Sequence, residues 1–392
     1  MLDSIYIGMA GLAGFSKGIK VIGNNTSNMN TPGFKGARLQ FGNMVFAGSQ
    51  SLTADASRYG AGISTYATSL NFEAGDLRQT GANLDLAIDG LGLFVLKNLA
   101  GETRYTRAGQ FEFDATGVLV NRNDRAEVQG LDADGRVGSI ALSGLRVSAP
   151  KASSSVAFKG NLSSSATDQT VSNVNVLDAA GGNHALSVKL TSESPAKPGS
   201  WLVSVLDGST EVGAGTILFK DGLPVTGSSD IKISYKPIGQ AEMPLTLSFG
   251  TEVTSYATGN LSTLAFASQN GFQAGSLSKV TFDAAGLLSI EYSNGQTAKG
   301  KRLALARFES DEALEASGDN QFQASVSADA QLGRAQTGGF GTLRPGYIEF
   351  SNVDLSKEFG ELVIMQRGYQ ASSQIVSTAN EMIEQLFAMR GK

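Results

Sequence analysis

An α+β fold, mainly β, is predicted: two β domains, one inserted in the other, with paired long helices at the N- and C-termini. Three observations predict it. Apolar residues recur at helical spacing only near the two chain ends. Between the ends they alternate with period two and are broken by turn-forming residues, the pattern of half-buried strands. Glycine is abundant, 48 of 392 residues, while only 17% of residues are charged, below the roughly 25% of ordinary globular chains.

At the N-terminus, Leu2, Ile5, Met9, Leu12, Phe15, Ile19 and Ile22 follow one another at intervals of three or four. They form one apolar stripe of an amphipathic helix. Gly8, Gly11, Gly14, Gly18 and Gly23 interrupt it, each costing about 0.5–1 kcal/mol relative to Ala in a helix interior. Such a helix needs a partner, and these glycines let a partner backbone come close. The stretch NNTSNMNTPGFK then ends it. Asn24, Asn25, Asn28 and Asn30 carry amides that compete for nearby backbone groups. Thr31 precedes Pro32, which lacks an N–H and pushes its predecessor out of the helical region. Gly33 tolerates positive φ, and Phe34 and Lys35 lead onward. The helix is therefore expected to stop near Asn30, with residues 33–70 as a linker.

At the C-terminus, Leu355, Phe359, Leu362, Met365, Tyr369, Ser372, Val376, Ala379, Ile383 and Leu386 alternate at three and four, a coiled-coil-like seam over about four heptads. Asp354 or Ser356 caps its start. About 35 residues rise roughly 50 Å, longer than a small domain is wide. Two readings follow. The helices of 1–32 and 352–392 pair within one molecule, or they pair and also pack against neighbouring copies.

The body reads as strands. Leu84 to Ile88 alternates and meets the turn signal Asp89-Gly90; Leu93–Leu96, Tyr105–Arg107, Phe111–Phe113 and Val118–Val120 follow. The phrase FDATGVL at 113–119 returns as FDAAGLL at 282–288, which places 71–145 and 271–351 in one β domain. The Ser-, Thr- and Gly-rich segment 146–270 holds the only Trp, Trp201, and the turn signal Asp221-Gly222, and reads as a second β domain inserted in the first.

No set of acid, base and nucleophile converges, so no enzyme, cofactor or metal site is expected. His184 is the only histidine and is expected on an exposed loop beside Gly181-Gly182-Asn183. Asp132-Ala133-Asp134-Gly135 resembles part of a calcium loop, but Val137 stands where such a loop needs Gly, so a β-turn is expected. The net charge of −5 and the lack of a basic run argue against nucleic acid. Cysteine is absent. No unbroken apolar run approaches the ~18 residues of a membrane span, and the N-terminus lacks the positive start of a cleaved signal peptide. No membrane insertion is expected.

Three stretches carry a family resemblance. NNTSNMNTPGFKGARLQF resembles the signature after the first helix of bacterial flagellar rod and hook proteins; NLDLAIDGLGLFVL with YTRAGQFEFDATGVLVN resembles their shared β core; and SNVDLSKEFGELVIMQRGYQASSQIVSTANEMIEQL resembles their C-terminal helix. The one departure, Met29-Asn30-Thr31-Pro32, replaces the family's more usual Val and second Thr. The resemblance, with the inserted segment, implies a hook subunit that assembles into a curved tube and serves as a universal joint between motor and filament; a distal-rod or hook–filament junction subunit is the alternative. It implies a homopolymer whose further partners are the rod, the hook cap, junction proteins and the flagellar type III export apparatus. It implies export to the extracellular flagellum without a cleaved signal. The two apolar stripes become the assembly seam, and Asn24 to Lys35 the link from helix to outer domains.

Overall fold

The computed structural model describes residues 2–45, 60–326 and 328–390. Long helices frame the chain, α1 at Leu2–Ser27 and α2 at Leu355–Arg390, and the bulk between them is strand. α1 stops slightly before the expected Asn30. The Asn28 N–H reaches the carbonyls of Asn24 (3.2 Å) and Asn25 (3.1 Å), and the Asn28 side-chain amide donates to Asn24 O at 2.9 Å. Asparagine thus takes over the backbone partners that continued helix would use. At the other end Asp354 is the cap: its Oδ1 accepts the N–H groups of Ser356 (2.8 Å) and Lys357 (3.2 Å). α2 then runs 36 residues, roughly 54 Å.

The expected linker 33–70 holds an antiparallel hairpin, β1 at Ala37–Val45 and β2 at Gly60–Leu70. Its strands carry the period-two pattern of Leu39 with Phe41 and of Ile63 with Thr65, which the turn signals around them obscured. Residues 46–59, in the middle of that linker, lie outside the described residues, as do Met1, Gly391 and Lys392 of the terminal segments.

The chain divides into two compact units. The first comprises Met1–Ser143, Val280–Ile290 and Lys299–Lys392; the second comprises Gly144–Lys279 and Glu291–Ala298. In the first unit, Leu86–Asp89 and Leu93–Lys97 flank the expected Asp89-Gly90 turn but do not pair with each other. Leu86–Asp89 pairs with Thr342–Pro345, and Leu93–Lys97 with Thr103–Thr106. Leu77–Gln79 pairs with Tyr347–Glu349. These long-range pairings fold the chain's late residues onto its early ones. Phe94 and Phe111, both fully buried, meet edge to face at 5.1 Å.

In the second unit, one sheet runs Asp168–Leu177, Asn183–Ser192, Ser200–Asp207, Thr210–Lys220 in antiparallel order, and another contains Ser155–Asn161, Asp230–Tyr235 and Met243–Ser248. Both sheets contribute to one core around Trp201, Phe158, Tyr235 and Phe249. Gly213 allows the close approach: a methyl there would stand 2.6 Å from Ile233 Cγ2.

One turn recurs in the strand regions. Asp132, Asp178 and Asp283 each accept, at Oδ1, an N–H two residues on and another four residues on, and Asp114 and Asn98 make the second of these bonds. Thr116 donates its hydroxyl to Asp114 instead. The residue three after each is glycine with φ between 77° and 87°, a left-handed position that favours Gly. The repeated phrase FDATGVL/FDAAGLL and the calcium-like Asp132 segment are both this turn.

One expectation is corrected. His184 is not on an exposed loop. It opens the strand Asn183–Ser192, its Nε2 lies 2.8 Å from Asp178 Oδ2, and the pair closes the preceding turn. By length and composition alone α1 also meets the test for a membrane-crossing helix, a test that packed helices of soluble proteins pass as well. Counting unbroken apolar runs misses this, because glycines and serines interrupt the runs while adding little polarity.

Hydrogen bonds, first from His184 and then from the backbone N–H of Gly182, hold the Asp178 carboxyl below its usual range. A depressed carboxyl stabilises the fold above its unfolded pKa and ceases to do so as pH falls through its folded value. Trp201 is the sole tryptophan and is buried in the same core. Urea unfolding followed by tryptophan fluorescence should therefore show the midpoint dropping as pH falls below about 4. In Asp178→Asn the midpoint at neutral pH should be lower and the acid drop smaller.

Candidate assembly interface

The face that α1 turns toward α2 is its glycine stripe. Gly8, Gly11 and Gly18 are buried, with Ile22 and Asn25 continuing the line. A methyl at Gly8 would stand 2.6 Å from Val376 Cγ2 and 3.2 Å from the Ser372 carbonyl; at Gly18, 2.8 Å from Met365 Sδ. At Gly11 it would strike Ser372 Oγ. α2 reciprocates with Gly368, where a methyl would lie 2.5 Å from the Phe15 ring. Gly14 faces the hairpin instead, 2.9 Å from Ile63 Cδ1, and Gly23 faces nothing within 4 Å. The glycines that weaken α1 as an isolated helix thus set the distance at which the two helices pack.

Around this stripe the predicted residues divide. Ile22 and Ala379 are buried; Ile5, Leu12, Phe15, Ile19, Leu355, Leu362, Met365, Val376 and Ile383 are half-buried. Leu2 lies in the first turn of α1. Met9, Phe359, Tyr369 and Leu386 are exposed, and α2 also exposes Val363, Ile364, Met382 and Phe387 at 51–64%. A shallow apolar groove of about 520 Å³ runs past Ser4, Ile375 and Met382. One face of α2 is therefore packed on its own chain while another presents apolar side chains outward.

The second part of the site is the junction where NNTSNMNTPGFK meets the β strands. Asn25 is buried; its amide holds Ala37 by both groups, at 2.8 and 3.0 Å, and donates to Glu358 Oε1 at 3.1 Å. Asn24 and Asn30 are exposed, and Asn28, Thr31, Pro32 and Phe34 are half-buried. Thr31 Oγ1 donates to Asn28 Oδ1, and Pro32 O accepts from Asn320 Nδ2 at 3.1 Å. Gly33, at φ +71°, donates its N–H to Glu349 O at 2.8 Å, where any side chain would strike the Ala108 backbone.

Lys35 ends in a buried charge cluster. Its Nζ lies 2.6 Å from Glu349 Oε1, and Arg107 NH1 lies 3.1 Å from Glu349 Oε2; the Lys35 and Glu349 side chains are wholly inaccessible. Lys35 Nζ also donates to Glu73 O, the Gly75 N–H to Glu349 Oε1, and Arg107 to the carbonyls of Ile88 and Gly90. Burial lowers the Arg107 pKa, and the Glu349 carboxylate opposes that shift. Arg107 and Glu349 went unnoticed in the sequence. The available signal was a charge at the end of each of two strands, Arg107 directly after Thr103–Thr106 and Glu349 closing Tyr347–Glu349. Among the described residues, no group of three or more His, Asp or Glu is placed to hold a metal ion.

The comparisons with known proteins agree with this layout. The family model "Flagella basal body rod protein" matches residues 5–35, "Flagellar hook protein FlgE/F/G D1 domain" matches 87–166, and "Flagellar basal body rod FlgEFG protein C-terminal" matches 344–389. The flagellar hook protein FlgE of Escherichia coli (strain K12) is 31% identical, over 97% of this chain and 98% of its own. The chain belongs to the flagellar hook protein FlgE family. FlgE of Treponema pallidum (strain Nichols) is 28% identical over the whole of both chains. The crystal structure of Helicobacter pylori flagellar hook protein FlgE2 superposes with a TM-score of 0.47 at 15% identity, covering 69% of this chain and all of that one. As an FlgE family member the protein is a structural, non-enzymatic subunit of the flagellar hook, and it polymerises with itself there.

Two outcomes are expected at this site. Gly8→Leu should lower the helical circular dichroism of assembled protein and reduce the sedimentable fraction, because the new side chain meets Val376 and the Ser372 carbonyl. Gly23→Ala has open space and should gain about 0.5–1 kcal/mol of helix stability. Separately, Glu349→Gln strips the counter-charge from Lys35 and Arg107; chemical denaturation should show a loss on the order of 3–5 kcal/mol.

Proposed function

We propose that the α1–α2 pair forms the inner layer of the hook tube, with the outward apolar face of α2 meeting neighbouring copies. In this reading segments 1–32 and 352–392 line the tube, and the β domains 71–145 with 271–351, and 146–270, form outer layers. The tube is curved and acts as a universal joint that carries motor torque to the filament. The subunit leaves by the flagellar type III export apparatus without a cleaved signal, adds beneath the hook cap, and meets the rod at one end of the tube and junction proteins at the other.

The observation that carries the reading is the two-sidedness of α2. A helix packed on its own chain through Met365, Ser372, Val376 and Ala379 still exposes Phe359, Ile364, Met382, Leu386 and Phe387. An exposed stripe of that kind marks an interaction surface, and in a chain that polymerises with itself the partner is another copy. A contact between unlike faces that does not close on itself builds a helical tube. The low charge, 17% of residues, suits outer domains that slide past like neighbours.

Charges placed on the two sides of α2 separate pairing from assembly. Leu386→Asp lies on the exposed side, so the monomer should fold as the wild type does. Electron micrographs should show no tubes, because each added subunit buries an unpaired charge at a cost of several kcal/mol, and 1.4 kcal/mol is already tenfold in affinity. Ile383→Asp, half-buried, should block tubes too. Normal curved tubes from both variants would show that α2 is not the subunit contact.

A further inference from the structure

One ionisable group at the junction keeps an oxygen that neither part of the interface answers. Glu358 sits in the first turn of α2. Its Oε1 accepts the Asn25 amide at 3.1 Å, while its Oε2 is buried and meets no donor from the chain. Beside it is a polar cavity of about 240 Å³ whose lining includes Asn25, Arg38, Asn71, Glu73, Asp354 and Lys357. The cavity lies where the end of α1, the start of β1, the segment 71–73 and the start of α2 converge.

We propose that Glu358 is a proton-operated latch at this convergence: uncharged, it lets the end of α1, β1 and the first turn of α2 close on one another, and ionised, it loosens them. The geometry supplies the reason. A carboxylate needs donors at both oxygens, and here one oxygen has none. Leaving a buried anionic oxygen unmatched disfavours the charged form. Glu361, one turn along or nearly so, adds like-charge repulsion. The Asn25 hydrogen bond pulls the other way, followed by Arg38 and Lys357, which are both exposed and screened by salt. Asp354 is committed to capping α2, and the Glu73 carboxylate to the Asn71 amide. The balance raises the Glu358 pKa, with burial the largest cause.

The direction follows from linkage. A carboxyl whose folded pKa is raised binds its proton more tightly in the closed junction than in the open one. Closure is therefore favoured at acid pH and weakens as pH rises through the folded pKa of Glu358. Each unit of raised pKa corresponds to a tenfold change in the opening equilibrium. The consequence is a joint between the helical and β parts of this unit that stiffens in acid surroundings.

The test is hydrogen exchange on assembled full-length tubes, read by mass spectrometry over peptides covering 25–38 and 354–362, between about pH 4 and pH 8. Rates are expressed relative to unstructured chain at each pH. In the wild type, protection of both peptides should fall as pH rises. In Glu358→Gln it should stay near the wild type's acid value throughout. In Glu361→Gln the fall should move to lower pH, because the repulsion that helps raise the Glu358 pKa is gone. Identical profiles for wild type and Glu358→Gln, or protection that rises with pH, would overturn the latch. Should Glu358→Gln fail to assemble, Glu361→Gln decides: an unmoved profile refutes the proposal.

Discussion

The buried carboxylate of Glu349 is the fixed point of the first unit. It holds two cations from distant parts of the chain, Lys35 and Arg107, and its own backbone carbonyl takes the Gly33 N–H. Those contacts fix the path from the end of α1 to the strands. A buried ion cluster of this kind is not a cheap source of stability, since desolvating three charges offsets much of their attraction. Its value is positional. Lys35 has one place where its charge is answered, so the segment that leaves α1 has one path. Gly33 fits that path because any Cβ would strike the Ala108 backbone.

The helical layer rests on a trade between local and tertiary terms. Gly8, Gly11 and Gly18 each lower the intrinsic stability of α1, yet each sits where a methyl would collide with Val376, Ser372 or Met365. The two helices come closer than ordinary side chains would permit, and backbone-to-side-chain contact replaces the apolar interdigitation of a common coiled coil. This frees the larger apolar residues of α2 to point elsewhere. The same helix that is tied down by small residues on one side carries Phe359, Ile364 and Leu386 on another.

Much of this was legible in the sequence, and the parts that were not share a cause. The two helices, the role of the α1 glycines in close approach, the Asp354 cap and the strand containing Trp201 all follow from spacing and from the chemistry of single residues. The end of α1 was legible to within a few residues because Asn and Pro act locally. What local reading missed was pairing over distance. Asp89-Gly90 reads as a hairpin turn, yet the strands on either side of it bond to other partners. Hairpin β1–β2 was hidden inside an apparent linker. Arg107 and Glu349 look like ordinary strand charges until the fold brings them to Lys35, 72 and 314 residues away in sequence by subtraction. Periodicity found the apolar stripes, but it could not say that Met9 and Phe359 within them would face outward.

The pairing of Leu77–Gln79 with Tyr347–Glu349 sets an order of events during synthesis. The first unit cannot close until residue 349 has been made, because its anion and its last strands come from there. Until then Lys35 and Arg107 lack the Glu349 carboxylate, and the strands Leu77–Gln79 and Leu86–Asp89 lack the partners they bond to. Closing so long a loop is entropically slow and adds to contact order. The second unit, continuous from Gly144 to Lys279 apart from one short later segment, meets most of its partners far sooner. The nascent chain is thus held open at both ends for most of its elongation, and completion of the frame waits on the arrival of a single glutamate.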